Sequence, residues 1–108
     1  MITCLLFLGM TSLFANGAKT EKIKVYGNCG QCKTRIEKAA NSVQGVSKAT
    51  WVDSDQILTV TFDATKTSVA KIEEAVAKAG HDTDHMKATD KAYNALPGCC
   101  KYDRPKTK

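Results

Sequence analysis

The run Ile23-Lys24-Val25-Tyr26-Gly27-Asn28-Cys29-Gly30-Gln31-Cys32-Lys33-Thr34-Arg35-Ile36-Glu37-Lys38-Ala39 decides how the rest of the chain is read. Its first part alternates polar and apolar residues, with Ile23 and Val25 on one side, the pattern of a half-buried strand over 22–26. Gly27 and Gly30 make the middle a loop. From Lys33 to about Ser42, Ile36, Ala39 and Ala40 recur at helical spacing, with Lys33, Arg35, Glu37 and Lys38 elsewhere around the helix. Two thiols therefore sit between a strand and a helix, with Cys32 at the helix start. Free backbone N–H groups and the helix dipole favour a thiolate there. Such a pair suits one soft metal ion or one disulfide, and spacing alone leaves both open.

Downstream, Gly45 leads into a strand over 46–52, with Val46, Ala49 and Trp51 turned inward. Asp53-Ser54-Asp55-Gln56 is turn chemistry. Leu58, Val60 and Phe62 alternate with Thr59 and Thr61, completing a hairpin. Thr67 or Ser68 caps a second helix with the apolar stripe Val69, Ile72, Val76 and Ala79, which Gly80 ends. His81 to Ala88 supplies a short fourth strand, although it is polar. A short amphipathic piece around Tyr93 and Leu96 follows, then Pro97-Gly98, the vicinal pair Cys99-Cys100 and a basic tail. The order strand, helix, strand, strand, helix, strand predicts an α+β, ferredoxin-like βαββαβ sandwich. Its antiparallel four-stranded sheet carries both helices on one face, with a short C-terminal extension.

The chain of 108 residues is long enough for one small domain. Ile2 to Phe14 is apolar and uncharged, then come Ala15, Gly17 and Ala18 and the charged Lys19 to Lys22. That apolar run is short of the roughly 20 residues of a spanning helix and fits a secretory segment, although Met1-Ile2-Thr3 lacks the basic start. The expected division is a cleaved signal over 1–17, a domain over 22–88 and a cysteine-containing tail over 89–108. Membrane contact is expected only through the N-terminal segment, if it stays uncleaved. Cys4 lies in that segment, so the exported protein keeps Cys29, Cys32, Cys99 and Cys100. Outside the cytosol, thiols tend towards disulfides. The net charge of +5 is spread along the chain without an Arg and aromatic stripe, so nucleic acid is not an expected partner. Asp53, Asp55, Asp82, Asp84 and Asp90 read as turns or solvated surface, with no pair for acid–base work. Trp51 reads as packing and Tyr93 as an anchor of the tail.

The pattern resembles the heavy-metal-associated domain, the family of small copper chaperones, periplasmic mercury carriers and N-terminal modules of metal-pumping ATPases. Lys24-Val25-Tyr26-Gly27 with Cys29 to Ala39 carries the likeness, joined by Gly45-Val46, Lys71-Ile72-Glu73-Glu74-Ala75 and Ala79-Gly80. The family usually has Gly-Met-Thr-Cys before the pair; Gly27-Asn28-Cys29 is one residue shorter and has no Met. The resemblance implies a soft ion between Cys29 and Cys32, Cu(I) first, with Hg, Ag, Zn or Cd as others. It implies handover by thiolate exchange to a metal-transporting ATPase, an efflux component or another metal-binding domain, and no catalysis. The expected protein is a monomeric periplasmic carrier; a mercuric-ion carrier is the alternative. In another class stands a thiol-redox or disulfide-stabilised interaction module. A thioredoxin-like protein would carry a cis-proline loop, and the prolines here are Pro97 and Pro105. The resemblance also sets the Gly80-His81 loop beside the cysteines, making His81 a candidate ligand. His85, Met86, Cys99 and Cys100 have the right donor types for copper and complete the candidate set.

Overall fold

The computed structural model describes residues 18–105. The expected signal over 1–17, with Cys4, lies outside them. Strand β1 (Ala18–Lys24) leads through the cysteine loop into helix α1 (Gly30–Asn41), then β2 (Val46–Val52), β3 (Ile57–Asp63) and helix α2 (Val69–Lys78). A short helix α3 (Asp90–Asn94) and a 3-10 turn over Gly98–Cys100 follow. The sheet order is β1-β3-β2 with both pairings antiparallel. β3 is central, and its period-two pattern explains why: Leu58, Val60 and Phe62 are all buried. Leu58 is flanked by Ile23 on one side and Trp51 on the other. Ile36 and Ala40 of α1 and Ile72 and Val76 of α2 join these residues in one core.

Helix α2 begins as its sequence predicts. Ser68 is the N-cap, its hydroxyl accepting from the Lys71 N–H at 3.3 Å. Gly80 ends the stretch with φ +108, a left-handed conformation that disfavours a side chain; an added Cβ would also meet the Ala92 carbonyl oxygen at 2.9 Å.

Two expectations are corrected. The described residues form a three-stranded sheet, and the fourth strand shrinks to one bridge, Val25 with Thr83. Tyr26 N–H donates to the Asp82 carbonyl at 2.9 Å beside it. Side chains have claimed the backbone donors a longer ladder needs. The Asp82 carboxylate accepts from Ala88 N–H at 2.7 Å, and Thr83 Oγ1 accepts from His85 and Met86 N–H at 3.2 and 3.0 Å. Asp82 is also no surface residue. It is fully buried and held bidentately by Arg104, from Nε at 2.9 Å and Nη2 at 2.8 Å.

The extension after residue 88 packs into the same core. Leu96, Cys100 and Tyr102 are buried. Tyr102 donates its hydroxyl hydrogen to the Gly80 carbonyl at 2.8 Å and accepts from Asp82 N–H at 2.8 Å. Tyr93 stands edge-on to Tyr102 with ring centroids 5.0 Å apart and donates to the Tyr102 carbonyl at 2.6 Å. The tail is therefore tied down by buried aromatic and charged groups where it runs past the cysteine loop.

Candidate metal centre

Cys29 is the N-cap of α1 and Cys32 lies in its first turn. Their sulfurs are 3.9 Å apart as free thiols. Cys32 is fully buried and receives the Asn28 N–H on its sulfur at 3.2 Å; Cys29 is half-buried. Gly27 explains how the loop fits over the core. A Cβ there would lie 3.0 Å from the Trp51 ring and 3.1 Å from the Cys32 Cβ. Trp51 is itself fixed, its indole N–H donating to the Val25 carbonyl at 3.0 Å. Gly27→Ala is expected to cost about 1–3 kcal/mol by overpacking, and to push Cys32 out of place. Thermal unfolding checks this, at roughly 4–8 °C per kcal/mol for a domain of this size.

The Cys29 sulfur closes no capping hydrogen bond of good geometry. The Cys32 and Gln31 N–H groups at the helix start nonetheless favour a charged sulfur there, since dipole attraction acts beyond strict hydrogen-bond angles. The Cys32 N–H acts most strongly, partial burial opposes it, and the Cys99 thiol and Gln31 N–H add to it. The net result holds the Cys29 thiol down to about 7. Cys99 is shifted the other way by its neighbour Cys29 and by desolvation. Burial, with Cys32 beside it, pushes Cys100 up. Iodoacetamide should therefore label Cys29 first in the reduced metal-free protein. Its rate should rise through a midpoint at about 7, against roughly 8.5 for an ordinary thiol. Mass-spectrometric mapping of the label against pH checks both the order and the midpoint.

Cys100 reaches the same place from the tail. The sulfurs of Cys29, Cys32 and Cys100 all lie within 4.8 Å of one another. Cys99 is exposed, its sulfur 4.0 Å from that of Cys100 and donating to Gln31 Oε1 at 3.0 Å. Its carbonyl accepts from Asn28 Nδ2 at 3.3 Å and from the Cys29 thiol at 3.4 Å. His81 stands outside the sulfur group. Its Nδ1 lies 2.8 Å from the Tyr26 carbonyl, which can only accept, so Nδ1 carries the proton. Nε2 is left buried and unpartnered, and the ring stacks on Tyr102 at 5.3 Å between centroids. Burial holds His81 below the ordinary imidazole value; the Tyr26 carbonyl works against that and the Arg35 charge adds to it. His85 is exposed and bonded to Glu73 Oε2 at 3.0 Å. Met86 lines a separate groove with Lys87 and Thr89. Lys33 is tied to Glu37 at 2.6 Å and to the Trp51 carbonyl at 2.9 Å.

Sequence reasoning missed what holds the tail here: Asp82, Tyr102 and Arg104. Asn28 and Gln31, which meet Cys99, were visible only as loop residues.

An α+β sandwich presenting a thiol pair at the start of its first helix defines a small dithiol domain of ferredoxin-like type. Comparison with known proteins agrees. The heavy-metal-associated domain matches residues 28–82. The mercuric transport protein periplasmic component of Shewanella putrefaciens is 40% identical over 74 residues, which cover 67% of this chain and 81% of that protein. In three further proteins of that description the match spans 58% to 65% of their length. The copper chaperone CopZ of Staphylococcus aureus is 31% identical over 55 residues, 51% of this chain and 81% of that protein. The crystal structure of oxidised MerP from Ralstonia metallidurans superposes with a TM-score of 0.54 at 33% identity, covering 61% of this chain and 96% of that one. The chain belongs to the heavy-metal-associated domain family.

Proposed function

We propose that this protein is a carrier of one soft, thiophilic metal ion, taken up on Cys29 and Cys32 and passed on by thiolate exchange. One observation carries it: two thiols 3.9 Å apart at a helix start, one buried and one half-exposed. The buried sulfur retains the ion, while the accessible one can be attacked by an incoming thiol. The low-lying Cys29 thiol gives a thiolate ready to capture metal near neutral pH. Soft thiolates select ions such as Hg(II) and Cu(I) over hard cations.

Of those two, Hg(II) now stands first. The likeness to the mercuric transport protein is longer and higher in identity than that to the copper chaperone. For any given number of thiolates, a divalent ion also leaves one negative charge fewer beside the buried Cys32 than Cu(I) does. A periplasmic location and a partner that is a metal-transporting ATPase, efflux component or second thiol-bearing domain belong to the same proposal. The apolar segment 2–14 and the relatives' printed names support them.

Reduced protein is expected to bind one Hg(II) per chain in a native mass spectrum. It should hand that ion to an acceptor domain with its own cysteine pair faster than the ion escapes to a solution chelator. Insulin-reduction turnover without stoichiometric metal would favour the thiol-redox alternative and end this proposal.

A further inference from the structure

We propose that the ion is held by three thiolates, Cys29, Cys32 and Cys100, with the C-terminal segment acting as a clip that closes the site. The inference deepens the carrier function proposed above and rests on it. Its basis is where the tail is put and what fixes it there. Cys100 comes from an element 68 positions beyond Cys32, yet its sulfur lies within 4.8 Å of both loop sulfurs. Cys100 is fully buried, so this is no chance approach of a surface side chain.

Contacts on both sides secure it. On the near side, Leu96 packs in the core and the Cys100 N–H donates to the Pro97 carbonyl at 2.9 Å. On the far side, Tyr102 is bonded to Gly80 and Asp82, and Arg104 clamps Asp82. Between these anchors the Cys99 carbonyl accepts from Asn28 and from the Cys29 thiol, tying the tail backbone to the metal loop itself. A cysteine that served only as core packing would need none of these contacts with the loop.

The sulfur spacing points the same way. With zinc's metal–sulfur bond of about 2.3 Å as the scale, a soft ion sets sulfurs about 4.6 Å apart when linear between two, and about 4.0 Å apart at the corners of a triangle. The observed 3.9 Å between Cys29 and Cys32 suits a triangle edge. In the filled site a divalent ion binds three thiolates, the protons still on the sulfurs go to solvent, and the complex keeps one negative charge. A monovalent ion would leave two in the same buried place, so three-thiolate binding favours divalent thiophilic ions such as Hg(II). A third ligand on a separate segment also suits transfer. It can release first as a partner thiol enters, so the ion need not lose coordination at any stage.

X-ray absorption of the full chain with one equivalent of mercuric chloride tests this by counting sulfur neighbours, with native mass spectrometry confirming one ion per monomer. Three sulfurs are expected in the wild type and in Cys4→Ser/Cys99→Ser, whose remaining thiols are Cys29, Cys32 and Cys100. Two are expected in Cys100→Ser, with Hg(II) retention against a competing dithiol weakened at least about 10-fold. Two sulfurs in the wild type, or in the double variant, overturn the clip while leaving the two-thiol carrier standing. So does a count of three that persists in Cys100→Ser. No stoichiometric uptake in any form overturns both. The double variant keeps Cys100 in place, so the test does not depend on Cys100→Ser folding.

Discussion

Arg104→Ala should lower the melting temperature of the metal-free protein by roughly 12 °C or more and loosen the tail from the cysteine loop. The reason lies in Asp82. Its carboxylate is fully buried, and Arg104 supplies two of its hydrogen bonds while also donating to the Ala88 carbonyl at 2.6 Å and to Asp90 at 2.9 Å. The guanidinium further lies over the Tyr93 ring, 4.8 Å from its centroid. Removing it leaves a buried carboxylate with the Ala88 backbone N–H as its remaining hydrogen-bond donor. Breaking a buried pair on one side costs about 3–5 kcal/mol, and the low end applies because the Arg104 side chain keeps 19% exposure.

The pH dependence gives a second check with a definite sign. In the wild type, burial pushes the Asp82 carboxyl up, but Arg104 and the Ala88 N–H pull harder, and the net position is below the ordinary range. Its contribution is therefore present above the unfolded value of roughly 3.9 and is lost as pH falls through the folded value. In Arg104→Ala, burial is less opposed, the folded value moves up, and acid relieves the strain. The gap between the two melting temperatures should narrow on going from pH 7 to about pH 4.5. Arg104→Lys offers a point charge in place of a planar fork and should recover part of the loss. A fall below about 4 °C at pH 7, or a gap that widens in acid, would show that the pair does not hold the tail.

The sequence made the scaffold legible wherever local period carries the information. Leu58-Val60-Phe62, the stripe Val69-Ile72-Val76 and the cap Ser68 all sit where alternation and capping put them, because each depends on neighbours a few residues away. The fourth strand was misplaced because Asp82 and Thr83 turn their side chains onto nearby backbone N–H groups, which competes with a ladder over a few residues and leaves apolar periodicity unchanged. The cysteine pair was legible because a strand, a loop and a helix start frame it locally. The approach of Cys100 was not. It depends on Tyr102 reaching Gly80, 22 positions away, and on Arg104 reaching Asp82 at the same separation. Those contacts leave no period in the chain: Lys101-Tyr102-Asp103-Arg104 reads equally well as a solvated tail. His81 illustrates the same limit, since its residue type suits a ligand while its surroundings, the Tyr26 carbonyl and the Tyr102 ring, are built from distant segments.

Cys32→Ser should weaken metal binding sharply while leaving the fold in place. The exchange nearly preserves volume, and a serine oxygen can still accept the Asn28 N–H that now lies 3.2 Å from the sulfur. The expected stability cost is therefore small, about 1 kcal/mol, and the backbone circular dichroism should be unchanged. For the metal the loss is far larger. A serine hydroxyl remains protonated at neutral pH and its oxygen is hard, so the ion loses a thiolate charge and a soft donor together. Affinity for Hg(II), measured by competition with a small dithiol, should fall by more than ~100-fold, beyond the 10–100-fold typical of losing only a supporting contact. Cys29→Ser should match it in affinity but differ in rate. Cys29 is the more accessible loop thiol and its helix-start surroundings hold it down to about 7, so its loss should also slow uptake from a metal–thiol complex. Cys32→Ser, with Cys29 intact, should still capture the ion quickly and then release it. Equal uptake rates in the two variants would remove the distinction between a capturing and a retaining thiol. Affinity within about 10-fold of wild type in Cys32→Ser would remove the buried sulfur from the site altogether.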